Sequence, residues 1–224
     1  MRIRKKPNLK ARTERCAHLV INDPGSFRGR WLDEFGQCGL VNETECENSR
    51  FNELHIELGC GKGQFTVDIA IASSGVFHIA LEKTADAMII ALERASAANL
   101  QNVRFINAYA ERLSDFFEDG EASRIYINFC DPWPSNRHAK RRLTNRQFLE
   151  LYSRILRPGG EVHFKTDNAP LFEYSLREFE YCGYELKEST RDLHKDRPVG
   201  IMTDYEKKFH SQGIPICRCV MRVG

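Results

Sequence analysis

One carboxylate followed by a cluster of cations stands out in residues 129–141 of this chain. Asp131 closes a short apolar run, a rigid Pro-Trp-Pro follows, and cations without any acid come next. Two prolines stiffen the backbone around Trp133 and can present its indole as a surface for base stacking. A structural role is the alternative, with Asp131 as a cap and Trp133 in the core. The order of residue types favours chemistry beside a polyanion.

Four predicted strands in succession end in an acid or an amide. These side chains are Glu57, Glu82, Asn107 and Asp131. Ligands of open α/β sheets bind beyond the carboxyl ends of the strands, so we expect the four to meet at one edge. Glu82 stands where an acid accepts hydrogen bonds from ribose hydroxyls, although a favourable position before a helix would also explain it.

A glycine-rich turn follows Glu57. Gly59, Gly61 and Gly63 form G-x-G-x-G, which differs from the G-x-G-x-x-G of dinucleotide-binding folds. Glycines let the backbone approach a ligand closely, although a tight structural turn would need them too. A carboxylate beside the turn would repel a pyrophosphate and attract a cation. The turn therefore favours S-adenosyl-L-methionine, with its amino and sulfonium groups, over a nicotinamide dinucleotide.

From residue 54 onward, short β-like runs alternate with helical runs. We predict strands at 54–58, 76–81, 103–106, 124–130, 161–166, 184–193 and 215–223. Helices are predicted between them, including one that is capped by Thr144 and ends at Pro158-Gly159-Gly160. This alternation indicates an α/β fold with a doubly wound, mostly parallel seven-stranded sheet and an antiparallel C-terminal edge. Residues 1–50 are predicted to form a basic arm and an irregular extension, and residues 51–224 the main domain.

Charge is locally concentrated although the net charge is only +2. Cations cluster in residues 2–15 and 137–146. Either cluster could be a solvated surface, but clustering is what nucleic-acid affinity would require here.

Eight cysteines form no C-x-x-C pair, so we expect buried free thiols and no metal. A zinc site built from Cys16, His18, Cys38 and Cys46 is the alternative on residue type alone. No apolar run reaches the ~20 residues that a membrane span needs, and the N-terminus lacks the apolar core of a signal peptide. These features predict a cytoplasmic protein without a membrane partner.

Four motifs together resemble a known family. They are residues 57–63 (ELGCGKG), residues 131–134 (DPWP) running into residues 137–142 (RHAKRR), residues 164–168 (FKTDN) and residues 203–206 (TDYE). The chain is similar in these motifs to the bacterial tRNA (guanine-N7-)-methyltransferases, over about residues 51–222. The second and fourth motifs are the specific ones, since many methyltransferases share the glycine-rich turn.

The resemblance implies a Rossmann-like class I methyltransferase that uses S-adenosyl-L-methionine to form 7-methylguanosine in the variable loop of tRNA, as a monomer or homodimer. Asp131 is implied as the catalytic residue. The implied cofactor site comprises Glu57, Gly59, Gly61, Glu82, Asn107 and Asp131. The implied tRNA contacts are Ser135, Arg137, Lys140, Arg141, Arg142, Asp167, Thr203, Asp204, Tyr205 and Glu206. Ser135 stands where the family usually has lysine, so Arg137 or Lys140 would supply that charge.

Three other interpretations stay open. The Asp-Pro-Trp-Pro loop also resembles the Asp/Asn-Pro-Pro-aromatic loop of enzymes that methylate exocyclic amines. A non-catalytic RNA-binding module is the second alternative, although acids at the sheet edge would repel RNA without a bound cation. A dehydrogenase is the weakest, because of the glycine spacing.

Overall fold

The computed structural model describes residues 5–36 and 51–224. Within them, seven strands form one sheet in the order β3-β2-β1-β4-β5-β7-β6. The strands are β1 (Glu53–Leu58), β2 (Val76–Leu81), β3 (Val103–Ile106), β4 (Ala122–Asn128), β5 (Leu156–Thr166), β6 (Glu185–Thr190) and β7 (Cys217–Arg222). The helices are α1 (Leu9–Arg15), α2 (Trp31–Gly36), α3 (Gln64–Ala72), α4 (Ala85–Ala97), α5 (Leu113–Phe116), α6 (Arg146–Ile155), α7 (Ala169–Tyr181) and α8 (Asp204–Ser211).

The prediction of a mostly parallel sheet is confirmed. Strands β1 to β5 pair in parallel, and β7 runs antiparallel to both β5 and β6. The antiparallel strand lies one position in from the edge, because β7 inserts between β5 and β6. The carboxyl ends of β1 to β5 therefore meet at one edge, as the site prediction requires.

Several predicted details of the fold were wrong. Strand β6 ends at Thr190 instead of residue 193, and β5 begins at Leu156 instead of residue 161. Strand β4 ends at Asn128, two residues early, because Phe129 has a φ of +53° and leaves the strand conformation. Helix α6 is capped by Asn145, whose side chain accepts from the Gln147 amide, while the Thr144 hydroxyl accepts a buried hydrogen bond from Ser175.

A further such detail concerns residues 158–160. The helix before them ends at Ile155, and they lie in an irregularity near the start of β5, where the pairing with β4 shifts register. Gly159 has a φ of +74°, which a glycine adopts without strain.

The N-terminal segment packs against the main domain over the residues that the structure describes. Helix α1 contacts α4, where the Arg12 guanidinium donates to both carboxylate oxygens of Glu93 at 2.7 and 2.6 Å. Trp31 is fully buried, and its indole N–H donates to the Phe116 carbonyl. The predicted division at residue 50 stays a prediction. Cys38 and Cys46 of the zinc alternative lie outside the described residues.

The described cysteines are Cys16, Cys60, Cys130, Cys182, Cys217 and Cys219. They are free thiols, but Cys130 and Cys182 are only partly buried, so the prediction of buried thiols holds for the other four.

A row of titratable rings crosses the middle of the sheet. His78 on β2, His55 on β1, Tyr126 on β4 and His163 on β5 contact in sequence, with ring centroids 5.5, 5.7 and 5.3 Å apart. Burial, which disfavours the charged form, lowers the pKa of His55 and His163 to about 4 and that of His78 to about 3. The three histidines are therefore neutral in the folded protein at neutral pH.

We expect this row to make the protein sensitive to acid. The folded pKa values lie below the ordinary 6.5, so the unfolded chain binds more protons, and stability that is complete above pH 6.5 is lost as the pH falls toward 4. Each histidine contributes a loss of about 1.4 kcal/mol per pH unit in that window. Urea unfolding at pH 7.5, 6.5 and 5.5 measures this loss.

A matched pair of variants assigns the acid sensitivity to the row. His78→Gln should flatten the decline between pH 6.5 and 5.5, whereas His18→Gln, at an exposed position, should leave it unchanged. Equal declines in all three proteins would show that the buried row is not responsible.

Candidate active site

The glycine-rich turn links β1 to α3 through three left-handed glycines. Gly59, Gly61 and Gly63 have φ values of +78°, +57° and +73°. A Cβ on Gly63 would lie 2.4 Å from the Ala91 Cβ, so a glycine is needed there for α4 to pack against the turn. A Cβ on Gly59 would meet no atom within 4 Å. Gly59 thus borders open space, and Gly63 allows the turn to pack closely against α4.

Glu57 lies buried at the base of this turn. One of its carboxylate oxygens accepts from the Thr66 hydroxyl at 2.5 Å, and the other accepts from the Asn128 side-chain amide at 3.3 Å. Burial raises the pKa of Glu57 to about 7, with the charge of Glu82 acting in the same direction and the two hydrogen bonds opposing it. A cationic ligand next to Glu57 would stabilise the ionised carboxylate, so this position favours a cation.

Glu82, just after β2, is held by backbone amides. Its carboxylate accepts from Gly61 N–H at 3.0 Å and from Thr84 N–H at 2.8 Å. The Asn107 side chain, just after β3, donates to the Glu82 backbone carbonyl at 2.7 Å. The Gly61 amide is therefore engaged by a carboxylate rather than free for a pyrophosphate. A carboxylate has about four acceptor positions, which leaves capacity for ligand hydroxyls.

Asp131 lies in a loop three residues beyond the end of β4. Its side chain is 66% exposed, and one carboxylate oxygen lies 3.5 Å from the Lys83 ammonium. Lys83 directly follows Glu82, so this contact joins the loops after β2 and β4. Trp133 has a φ of +42°, an unusual value for a bulky residue, so the loop is held in a strained conformation.

A cavity of about 540 Å³ lies between the glycine-rich turn and α8. Its walls include Glu57, Asn128, Phe129 and Tyr205. Arg94 on α4 ties two of its walls together, since its guanidinium donates to the Lys62 carbonyl at 3.0 Å and to the Asp204 carboxylate at 2.9 Å. The Tyr205 ring stacks on Phe129 with centroids 6.4 Å apart. Helix α8 is thus fixed over the cavity.

Glu206 of α8 is turned into the protein. It is fully buried, accepts from the Lys165 ammonium at 3.0 and 3.1 Å and lies 2.8 Å from His194 Nε2. It also forms a capping box with Thr203, which is buried as well. His194 Nδ1 accepts from the Val199 amide, so Nε2 carries a proton and donates to Glu206. The structure thus gives Glu206 and Thr203 the role of fixing the start of α8.

The cationic stretch forms a short 3₁₀ helix, Asn136–Arg141, beside the Asp131 loop. The predicted substrate residues Ser135, Arg137, Lys140, Arg141, Asp167, Asp204 and Tyr205 are exposed. Arg141 places its guanidinium carbon 4.9 Å from the centroid of the Trp133 ring. Arg142, like Thr203 and Glu206, is buried, and its guanidinium donates to the loop backbone. The assignment of these residues to RNA binding stays a prediction.

Sequence reasoning missed several polar residues of the site. Thr66 and Asn128 hold Glu57, Lys83 pairs with Asp131, and Arg94 joins the turn to α8. Asn128 is the last residue of β4, so the strand-end argument would have found it had the strand been ended correctly. A buried carboxylate needs donors, which signals that partners such as Thr66 exist but not which residues they are.

The described residues contain neither a cluster that could hold a metal ion nor a membrane-spanning helix. No group of three or more histidine, cysteine, aspartate or glutamate side chains is placed to hold a metal ion. No helix there is long and apolar enough to cross a bilayer.

The fold is that of class I methyltransferases. The 16S rRNA methyltransferase KamB superimposes with a TM-score of 0.60 at 15% identity, covering 78% of this chain and 89% of that one. TrmN from Thermus thermophilus gives a TM-score of 0.56 at 20% identity, covering 78% of this chain and 45% of that one. The family model described as "Putative methyltransferase" (Methyltransf_4) matches residues 52–219.

Sequence relatives define the family more narrowly. The tRNA (guanine-N(7)-)-methyltransferase of Geobacillus thermodenitrificans is 44% identical over 98% of this chain and 96% of its own length. Those of Bacillus velezensis and Lactococcus lactis subsp. cremoris are 43% and 42% identical, each over 97% of this chain. The chain belongs to the tRNA (guanine-N(7)-)-methyltransferase family.

Proposed function

We propose that this protein transfers a methyl group from S-adenosyl-L-methionine to N7 of a guanine in the variable loop of tRNA, forming 7-methylguanosine. One observation carries the proposal beyond the family relationship. Glu57 and Glu82 flank the glycine-rich turn, and Glu82 engages the Gly61 amide that a dinucleotide fold would offer to phosphate. The site therefore suits a cationic ligand. We propose that the protein acts in the cytoplasm as a monomer or homodimer.

The residues present fit this cofactor. Glu57 and the open side of Gly59 would face its amino acid portion, while Glu82 would accept from the ribose hydroxyls and Asn107 would border the adenine. The cavity of about 540 Å³ leads from the turn toward Phe129. When bound, the cofactor supplies an electrophilic methyl group on a sulfonium.

The chemistry asks for positioning and charge stabilisation from the protein. Guanine N7 has an exposed lone pair at neutral pH, so no side chain has to remove a proton before attack. Positive charge develops on the purine during transfer, and a fixed carboxylate nearby lowers the free energy of that state. Asp131 is exposed at the sheet edge, which supports it as the carboxylate in this role.

The exposed cations beside Asp131 would bind the RNA backbone. Arg137, Lys140 and Arg141 follow the loop directly and are all exposed. A guanine unstacked from the tRNA could then lie near Trp133, with its flanking phosphates on these side chains. The Arg141 guanidinium already lies over the Trp133 ring, so the unstacked guanine and this guanidinium would share the aromatic surface.

Glu57→Gln tests the cationic character of the cofactor site. Because burial raises the pKa of Glu57 to about 7, a protonated Glu57 in the free protein must lose its proton to bind a cation, most often at pH 6 and least often at pH 8, so affinity should rise over this range. The glutamine variant should bind at least about 10-fold more weakly at pH 8 and should lose most of this pH dependence. Calorimetric titration of S-adenosyl-L-methionine at pH 6, 7 and 8 measures both effects.

A control variant separates this effect from the intrinsic titration of the cofactor. Asp119→Asn, at an exposed position before β4 and so at the opposite edge of the sheet, should retain the wild-type pH profile. If Glu57→Gln also retained it, Glu57 would not be the group that titrates.

The overall activity is tested by incubating the protein with labelled methyl donor and unmodified tRNA transcripts, followed by nucleoside analysis and mapping of the modified position. 7-Methylguanosine in the variable loop is the expected result. An N-methylated exocyclic amine would support the alternative enzyme class instead. No incorporation, with the cofactor still bound, would support a non-catalytic RNA-binding module.

A further inference from the structure

Arg142 lies inside the protein, behind the loop that carries Asp131. Only 7% of the residue is exposed. Its guanidinium donates to the Pro132 carbonyl at 3.1 Å and to the Trp133 carbonyl at 3.3 and 2.9 Å. A buried guanidinium that already holds two backbone carbonyls is not presented to a phosphate. Its contacts are with the loop itself.

The loop needs such support from outside its own backbone. Proline residues 132 and 134 have no amide N–H to donate, and Trp133 adopts a strained left-handed conformation. Strained backbone persists only where the surroundings determine it. The hydrogen bonds from Arg142 fix two consecutive carbonyls directly after Asp131, which restricts where the carboxylate can lie.

Arg142 is in turn held by helix α7. Its guanidinium carbon lies 4.2 Å from the centroid of the Tyr174 ring, and the Tyr174 hydroxyl accepts from the Asn145 side chain at 2.8 Å. Asn145 caps α6, so the arrangement connects the loop to two helices of the core. The planar guanidinium suits both contacts, since it stacks on a ring while donating from its edge.

We propose that Arg142 is a positioning residue, which fixes the Asp131-Pro132-Trp133-Pro134 loop for methyl transfer, and not a phosphate ligand. This inference rests on the proposed function and divides the cationic stretch into two roles. Arg141 and its exposed neighbours face the RNA, while Arg142 sets the geometry of the loop.

Matched substitutions at the two adjacent arginines distinguish these roles. Arg142→Gln should lower the single-turnover rate at saturating tRNA at least about 10-fold, while the slope of log affinity against log salt stays unchanged. Arg141→Gln should reduce the size of that slope by about 1. Arg142→Lys keeps the charge but loses the planar fork, so its rate should fall as well.

The opposite pattern would overturn the inference. It is wrong if Arg142→Gln reduces the salt slope while the saturated rate is preserved, or if Arg142→Lys behaves as wild type. Tyr174→Leu gives an independent check, because it removes the stacking surface and keeps Arg142. This variant should lower the rate without changing the slope, and thermal unfolding must show that each variant is folded at the assay temperature.

A readout without substrate or cofactor tests the loop by itself. The chain has two tryptophans, and Trp31 is fully buried, so acrylamide quenching mainly reports Trp133. Quenching should increase in Arg142→Gln, Arg142→Lys and Tyr174→Leu. Unchanged quenching in all three would contradict the positioning role. If the wild type failed to methylate tRNA, the proposed function would be wrong. The quenching measurement would still show whether Arg142 fixes the loop.

Discussion

Replacing Asp131 by asparagine is expected to lower the single-turnover rate of tRNA methylation by roughly 10²–10³-fold, the scale of one oriented polar group in an active site. The substitution keeps the shape of the side chain and removes its charge. Since the side chain is largely exposed and pairs only with Lys83 across 3.5 Å among the described ion pairs, the fold should not depend on it. The loss should therefore appear in the rate at saturating tRNA and cofactor, measured by rapid quench.

Asp119→Asn is the matched control for Asp131→Asn. Asp119 is also an exposed acid paired with a basic side chain, Arg154, but it precedes β4 and so lies at the opposite edge of the sheet. Its rate should stay within about 2-fold of wild type. A wild-type rate for Asp131→Asn under single-turnover conditions would remove Asp131 from the catalytic role.

Removing three exposed cations together is expected to have the second large effect. Arg137→Ala, Lys140→Ala and Arg141→Ala in one protein should weaken tRNA binding on the order of 10²-fold near 0.1 M salt, because each phosphate contact releases condensed counterions. The slope of log affinity against log salt should become shallower by about 2 to 3. Filter binding or fluorescence titration between 50 and 300 mM salt measures both quantities.

A control with equal loss of charge tests whether position matters. Arg154, Arg177 and Lys187 are exposed but lie away from the Asp131 loop, so their joint replacement by alanine should change the slope by less than about 1. Equal slopes in the two triple variants would show that the cationic stretch binds no phosphates. A loss of affinity with an unchanged slope would indicate a structural effect instead.

The common edge at which the polar strand-end side chains lie was predictable because it follows from topology alone. Parallel strands β1 to β5 bring their carboxyl ends to one edge whatever the loops do, so Glu57, Glu82, Asn107 and Asp131 were assignable to that edge from the sequence. The other polar residues of the site could not be assigned from the sequence, because Thr66 and Arg94 reach the site only through the packing of α3 and α4 on the sheet.

Charge patterns in the sequence predicted the location of side chains less well than the strand ends did. Arg141 and Arg142 are adjacent and identical in type, yet one is exposed and the other is buried behind the loop. The direction of a side chain on a 3₁₀ helix depends on where the helix docks, which the residue types do not encode. Glu206 is a similar case, since only tertiary packing brings Lys165 and His194 to its carboxylate.

Element boundaries also depended on local backbone states that the sequence leaves open. Phe129 ends β4 by adopting a positive φ, which its residue type does not predict. Two adjacent residues, Thr144 and Asn145, were both suitable caps for α6, and the buried hydroxyl contact to Ser175 explains why the asparagine takes that position. The insertion of β7 beside β5 likewise follows from pairing across the sheet rather than from its own sequence.

We claim that the acids at the carboxyl edge of the sheet hold S-adenosyl-L-methionine, and a crystal structure of the protein with this cofactor would show whether they do. The claim predicts the ribose against Glu82, the amino acid portion at the glycine-rich turn beside Glu57, and the methyl group directed toward Asp131. Cofactor density on the other side of Asn128, in the second cavity of about 410 Å³ lined by His163 and Arg218, would contradict it.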